Sequence, residues 1–245
     1  SDVCSSDLTE AKFSSCSPTN LAAMLGRALP CVSLDDTRGA MTGIAFLCAP
    51  TFARMVSTDG GRLVRTDCDL GLPVHPQVII PARGAKALRD ALKDAEACDV
   101  AIERGVLMAR AGDSTVAVKL MDMTYMPYDA VVDSALANKS RSVMSRGELV
   151  ASLARAMIMV EKDNKESAHG IKMTLGESGL TLHATHPDHG DTLEEVESAL
   201  TGKPVVLGVQ PRFLKAALLA LDGDEVAISR SEEHTSELQS RSAIS

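Results

Sequence analysis

Tryptophan is absent from this 245-residue chain, and all aromatics together make up 2% of it. A protein that grips single strands by stacking bases on rings would have little to stack with. No apolar run approaches the roughly 20 residues that carry a helix across a bilayer, so no membrane partner is expected. Positive charge is not in excess: 25 Lys and Arg stand against 33 Asp and Glu, for a net charge of -8. Contact with phosphates must therefore come from a local patch or from enclosure. The cysteines, at 4, 16, 31, 48, 68 and 98, include no CxxC pair. They read as small buried apolar residues or free thiols of a reducing cytoplasm. No GxSxG elbow is present, and Thr201–Pro204 (TGKP) lacks both the earlier glycine and the Ser or Thr of a phosphate loop. No catalytic residue, cofactor or metal is assigned.

What is present is a globular balance, 45% apolar and 24% charged, over a length that fits one or two domains. The ends stand apart. Residues 1–8 read SDVCSSDL and the tail from Arg230 begins RSEEHTSELQS. The DNA string TCAGACGTGTGCTCTTCCGATCT encodes the first, and its reverse complement encodes the start of the second. Such a pair resembles a sequencing-library adapter read on both strands. Residues 1–8 and 230–245 are therefore expected to be foreign and are set aside.

Between them runs a repeat. Leu21, Leu25 and Leu29 step at helical spacing, as do Leu149, Leu153 and Met157, 128 residues later. Gly43-Ile44 and Gly170-Ile171 each open a segment that reads as two strands around a turn, 127 apart. Val78-Ile79-Ile80 and Val205-Val206-Leu207 each precede a second helix, also 127 apart. Asp99–Ile102 matches Glu225–Ile228 at 126. The order helix, hairpin, strand, helix, strand thus occurs twice. It predicts two homologous α+β domains, 9–132 and 133–229, joined by DSALANKSRS. After Ile102 the first repeat continues with at least two more strands, whereas the second meets Arg230. The second domain is accordingly expected to lack its last strands, and this chain alone to be unable to act as the whole protein would.

These segments resemble one family. STDGGRL (57–63) is similar to the ATDGHRL motif in the middle domain of bacterial DNA sliding clamps. VIIPARGAKAL (78–88) resembles the family's VIVPRKG segment and the helix after it. VAVKLMDMTYMPY (116–128) resembles SKLVDGRFPDY, and GIKMTLGESGLTLHATHPD (170–188) resembles GVRLYVSENQLKITANNPE. The resemblance covers residues 11–228 and identifies the chain as a middle domain plus a truncated last domain. It implies the clamp fold, with paired helices on one face of a mostly antiparallel sheet in each domain. It implies a cytoplasmic, non-catalytic, homodimeric ring that encloses duplex DNA without reading its sequence. It also implies that polymerase, clamp loader and other proteins dock through a short linear motif.

Basic residues on or beside the inner helices would then face DNA: Arg27, Arg83, Lys86, Arg89, Arg146, Arg155, Arg212 and Lys215. The peptide pocket between the two domains would draw on Met41, Thr58, Gly60, Gly61, Arg62 and Leu63. Gly61 departs from the family's frequent His, and Asp133 from its usual Pro. Two other readings compete. His183, His186 and His189, with Asp188 and Asp191 nearby, could hold a divalent metal for an enzyme. A two-domain scaffold that binds protein but not DNA would scatter its basic residues rather than gather them on the helices.

Overall fold

The computed structural model describes residues 11–137, 140–160, 170–186 and 190–229. The two ends set aside above, and Asp188 and His189, lie outside these residues. Two compact units divide between Met126 and Pro127.

The first unit opens with a short strand, β1 (Ser14–Cys16), and helix α1 (Pro18–Ala28). Ser17 caps α1, its hydroxyl accepting the Asn20 N–H at 3.2 Å, and Pro18 fits the first turn, where no N–H is needed. Leu21, Met24, Leu25 and Ala28 form its buried stripe. A 3-10 turn at Leu29–Cys31 and a second 3-10 stretch at Asp36–Thr42 lead into β2 (Gly43–Cys48). Then come β3 (Ala53–Thr58), β4 (Leu63–Cys68), β5 (His75–Pro81), α2 (Ala82–Leu92), β6 (Cys98–Glu103), β7 (Val106–Ala111) and β8 (Ser114–Lys119). Two antiparallel sheets result, in orders β4-β3-β2-β5 and β1-β6-β7-β8. Helices α1 and α2 lie side by side; α1 covers β3 and β4, and α2 covers β2, β5 and β8. The core gathers Phe46, Met55 and Ile80 from the sheet with Leu25, Leu88 and Leu92 from the helices.

Helix α2 approaches β8 closely because Gly84 has no side chain. A Cβ there would overlap Val118 Cγ1 and sit 3.2 Å from Cγ2. Gly84→Ala should therefore destabilise this unit by about 1–3 kcal/mol, although alanine is the better helix former by about 1 kcal/mol. Urea unfolding of the single variants and of Gly84→Ala with Val118→Ala should show the pair more stable than the sum of its parts. Strict additivity would mean that the close approach is not what matters.

The second unit repeats the plan. A short helix, α3 (Asp129–Leu136), buries no side chain. It runs into the first four residues of the segment predicted as a linker, and β9 (Arg141–Ser145) takes the last two. Then follow α4 (Arg146–Val160), β10 (Ile171–Gly176), β11 (Gly179–His186), β12 (Gly190–Val196), β13 (Ser198–Thr201), β14 (Val205–Val209), α5 (Pro211–Leu219) and β15 (Glu225–Ser229). The sheets are β12-β11-β10-β14 and β13-β9-β15, again antiparallel. Helix α4 packs beside α5 and against β11 and β12. The expected α+β architecture, paired helices with mostly antiparallel sheets in each of two repeated domains, is the one observed.

Strand pairing sharpens the repeat. Ala45 pairs with Val56, and Lys172 with His183, an offset of 127 on both strands. Ile44 pairs with Ile80, but Ile171 pairs with Val209, so β5 and β14 correspond at 129, not 127. Helix starts agree, since α2 begins at Ala82 and α5 at Pro211. Likewise Ser14 pairs with Val100 and Ser142 with Ile228, which places β6 and β15 at 128 rather than 126. In α4 the residues 128 beyond the buried stripe of α1, namely Leu149, Ser152, Leu153 and Ala156, are all buried too.

Candidate functional site

The corrected offsets bring basic residues into equivalence. Arg83 and Arg212 are each the second residue of their helix, and Lys86 and Lys215 each the fifth. Arg27 and Arg155 correspond at 128, on α1 and α4. Arg83, Lys86, Arg155 and Arg212 are exposed; Arg27 and Lys215 are half-buried. Apolar stripes that pin one face of each helix to its sheet leave these positions on the outer part of the helix pair.

The partners of the equivalent arginines differ. Arg27 donates from a terminal guanidinium nitrogen to the Thr66 hydroxyl at 3.3 Å. Arg155 donates its Nε–H to the Glu194 carboxylate at 2.8 Å, and the Glu194 hydrogen bond raises its affinity for its proton. Thr66 pairs with Met55, and Glu194 with Leu182, so Thr66 and Glu194 are themselves equivalent at 128. Equivalent arginines thus reach equivalent positions of the strand beneath them, Thr66 in one repeat and Glu194 in the other. Arg212 lies over the Phe213 ring at 4.6 Å.

Two predicted members are engaged in other ways. Arg146 begins α4, and its guanidinium donates to the carbonyls of Gly223, at 2.6 Å, and Leu218, at 3.4 Å. It ties α4 to the end of α5, where orphan carbonyls need donors. Arg89 clasps its neighbour Asp90 at 2.8 Å. The Asp90 carboxyl is held below its ordinary range first by the Arg89 hydrogen bond and further by the charges of Lys86 and Lys93.

The residues predicted for a peptide pocket cluster on the β3–β4 turn. Thr58 is buried, and its hydroxyl donates to the Arg62 carbonyl at 2.6 Å and accepts the Gly60 N–H at 3.1 Å. Asp59 Oδ1 accepts the N–H groups of Gly61 and Arg62 at 2.9 and 2.8 Å, while Oδ2 binds the Arg62 guanidinium at 2.7 Å. Gly60 has φ of +89°, and a Cβ on it would meet the Arg38 guanidinium at 2.7 Å. Arg38 donates to the Asp59 carbonyl at 2.7 Å, which fastens the 3-10 stretch carrying Met41 to this turn. Leu63 is half-buried at the head of β4, opposite Thr58. Beside the turn lies a cavity of about 540 Å3, lined by Leu29, Pro30, Val32, Ser33, Leu34, Asp35, Arg38, Asp59 and Arg62. Of the six predicted residues only Arg62 lines it. Leu34, Arg38 and the Leu29–Pro30 turn were missed, because nothing in the sequence joins residues 29–38 to residues 58–63. The fold does so through Arg38.

Burial disfavours the charged form of Asp59, yet hydrogen bonds from Arg62 and Gly61 outweigh it and hold the carboxyl below its ordinary value. A folded value below the unfolded one means a stabilisation fully present above the ordinary carboxylate range near pH 4. It is lost as pH falls through the depressed folded value. Asparagine keeps the turn acceptor but not the charge. The gap in urea midpoint between parent and Asp59→Asn should therefore be present at neutral pH and close on acidification. A gap independent of pH would show that the charge is not what holds the turn.

A metal centre gains no support. His183 and His186 lie three apart on β11, so the two-residue period of a strand sends them to opposite faces. Among the described residues no group of His, Cys, Asp or Glu is arranged to hold a metal ion.

Residues 17–127 match the family described as DNA polymerase III beta subunit, central domain, and residues 137–239 match its C-terminal domain. The chain belongs to the beta sliding clamp family. The beta sliding clamp of Vibrio cholerae is 26% identical over 209 residues, which cover 83% of this chain and 55% of that protein. The Pseudomonas aeruginosa clamp is 25% identical over 224 residues, covering 90% and 59%. The chain therefore spans a little over half the length of these curated relatives. The crystal structure of the Bacillus subtilis clamp superposes with a TM-score of 0.81 at 20% identity, over 91% of this chain and 59% of that one. A sliding clamp from Bartonella birtlesii bound to griselimycin superposes with a TM-score of 0.75 at 23% identity, over 89% and 60%. The clamp fold predicted from sequence is the fold these neighbours share.

Proposed function

We propose that the chain supplies two domains of a homodimeric, cytoplasmic ring that encloses duplex DNA and tethers the replicative polymerase, with no catalytic role of its own. The observation that carries this reading is the recurrence of Arg27 with Arg155, Arg83 with Arg212 and Lys86 with Lys215 on paired helices of both repeats. A scaffold indifferent to DNA has no reason to keep positive charge at three equivalent helix positions in an acidic chain. A ring does, because phosphates lie along its whole inner circumference while enclosure removes any need for net positive charge. Arg83, Lys86, Arg212 and Lys215 would face DNA, with Arg27 beside them on α1, where it also binds Thr66. Arg155 would face DNA only on leaving Glu194, Arg89 is balanced by its exposed neighbour Asp90, and Arg146 contributes mainly to the fold. The turn at Thr58–Leu63, with Met41, is proposed as this chain's share of the site for a short linear motif carried by polymerase, loader and other partners.

Topology gives the test. A clamp containing these domains, loaded on nicked circular DNA, should stay bound in high salt and be lost when the circle is cut. Equal loss from circular and linear DNA would overturn enclosure.

A further inference from the structure

Strand β1 is three residues long, and its last residue, Cys16, stands directly opposite Cys98 on β6. Directly opposed residues of an antiparallel ladder have Cα atoms about 4.5 or 5.5 Å apart, depending on pair type, with both side chains on one face. Either spacing lies inside the range of roughly 4.4–6.8 Å that a disulfide spans. Both thiols are free; Cys98 is buried and Cys16 half-buried. Cys16 donates its S–H toward the Cys98 sulfur. That contact holds the Cys98 thiol below its ordinary value and, together with burial, pushes the Cys16 thiol up. A third thiol, Cys48 at the end of β2, is buried and pushed up to about 11 by that burial; it pairs with His75 and Ala53 in its own sheet and lies near enough to Cys16 to push that thiol up as well.

We propose that Cys16 and Cys98 are a peroxide-sensitive dithiol that oxidises to a cross-strand disulfide and staples β1 to β6. The Cys98 thiolate attacks a peroxide oxygen and the O–O bond breaks. One oxygen stays on sulfur as a sulfenic acid, and the other leaves as hydroxide and takes up a proton to become water. The Cys16 sulfur then attacks the Cys98 sulfur and the S–O bond breaks. The departing hydroxide takes the Cys16 proton as a second water. Two thiols and one hydrogen peroxide thus give one disulfide and two waters, with the thiols oxidised and the peroxide reduced. The two sulfurs stand opposite each other across the ladder, so whichever thiol is oxidised first has its resolving partner already in place. The closed loop would hold α1, the strands β2 to β5 and α2 between its ends.

The test uses the full chain in native buffer with hydrogen peroxide as the probe. Remaining thiols are blocked, the protein is digested without reduction, and the peptides are mapped by mass. A Cys16–Cys98 linked peptide is expected as the main product, disappearing with dithiothreitol and still forming in Cys48→Ala. The melting temperature of the oxidised chain should rise by on the order of 10 °C, and peroxide-treated Cys16→Ser should show no such rise. Three results would overturn the proposal: both thiols still open to blocking, Cys16 converted alone to a sulfinic acid, or Cys16 linked to Cys48. Because the parent chain carries the main readout, no conclusion depends on a variant folding.

Discussion

A clamp in which Arg83, Lys86, Arg212 and Lys215 are all replaced by glutamate is expected to bind linear duplex at low salt about a hundredfold or more weaker than the parent. These four form two equivalent pairs at the same turns of α2 and α5. Losing them together removes positive charge from both repeats without touching a buried position of the core. The slope of log affinity against log salt should flatten by about 0.9 for each phosphate no longer neutralised, which separates an electrostatic role from a general loss of fold. Arg155→Ala should do much less, because Glu194 already balances that charge. Glu194→Gln should strengthen binding by freeing it. If Arg155→Ala weakens binding as much as the fourfold variant does, the division between open and held arginines is wrong.

Leu63→Asp should weaken a polymerase-derived motif peptide at least about tenfold in calorimetry. Leu63 begins β4 half-buried, opposite Thr58, where an ionised carboxylate would have to be desolvated under an apolar peptide. Leu63→Met, which keeps volume and polarity, should bind as the parent does. Thermal melts of both variants distinguish lost binding from lost structure, and an unchanged Leu63→Asp affinity would place the peptide elsewhere.

The sequence carried the fold well where the signal was local. Leucine spacing marked α1 and α4, and short strand-like runs on either side of a turn marked β2–β3 and β10–β11. Equivalence across the repeat was harder. Matching Val78–Ile80 to Val205–Leu207 by likeness of side chains gave 127, while the hydrogen-bonded partner of Ile171 is Val209. Several aliphatic residues in a row fit at more than one shift, and only the ladder decides. That two-residue difference hid the pairing of Arg83 with Arg212. Strand β13 and helix α3 went unread because both are short, and α3 has no buried stripe to give it a period. The site was legible in composition but not in its commitments. Glu194 stands 39 positions from Arg155, and only the packing of α4 on β12 brings them together. Arg146 carried no sign that its donors are consumed by the carbonyls at the end of α5.

The drifting offset between the halves shows where this architecture accepts changes of length. Between β1 and β9, and between α1 and α4, it is 128; at the first hairpin it is 127; at β4 and β12 it returns to 128; at α2 and α5 it is 129; and at β6 and β15 it is 128 again. Every step falls in a connection: after α1, in the β3–β4 turn, before β5, and after α2. A deletion inside a paired strand would turn the rest of its side chains to the wrong face, whereas a loop absorbs one residue for little free energy. The stretch after α1 and the β3–β4 turn are fastened to each other through Arg38 and Asp59. The joints before β5 and after α2 in the first unit are therefore where a tag or a spectroscopic probe can enter without disturbing the sheets.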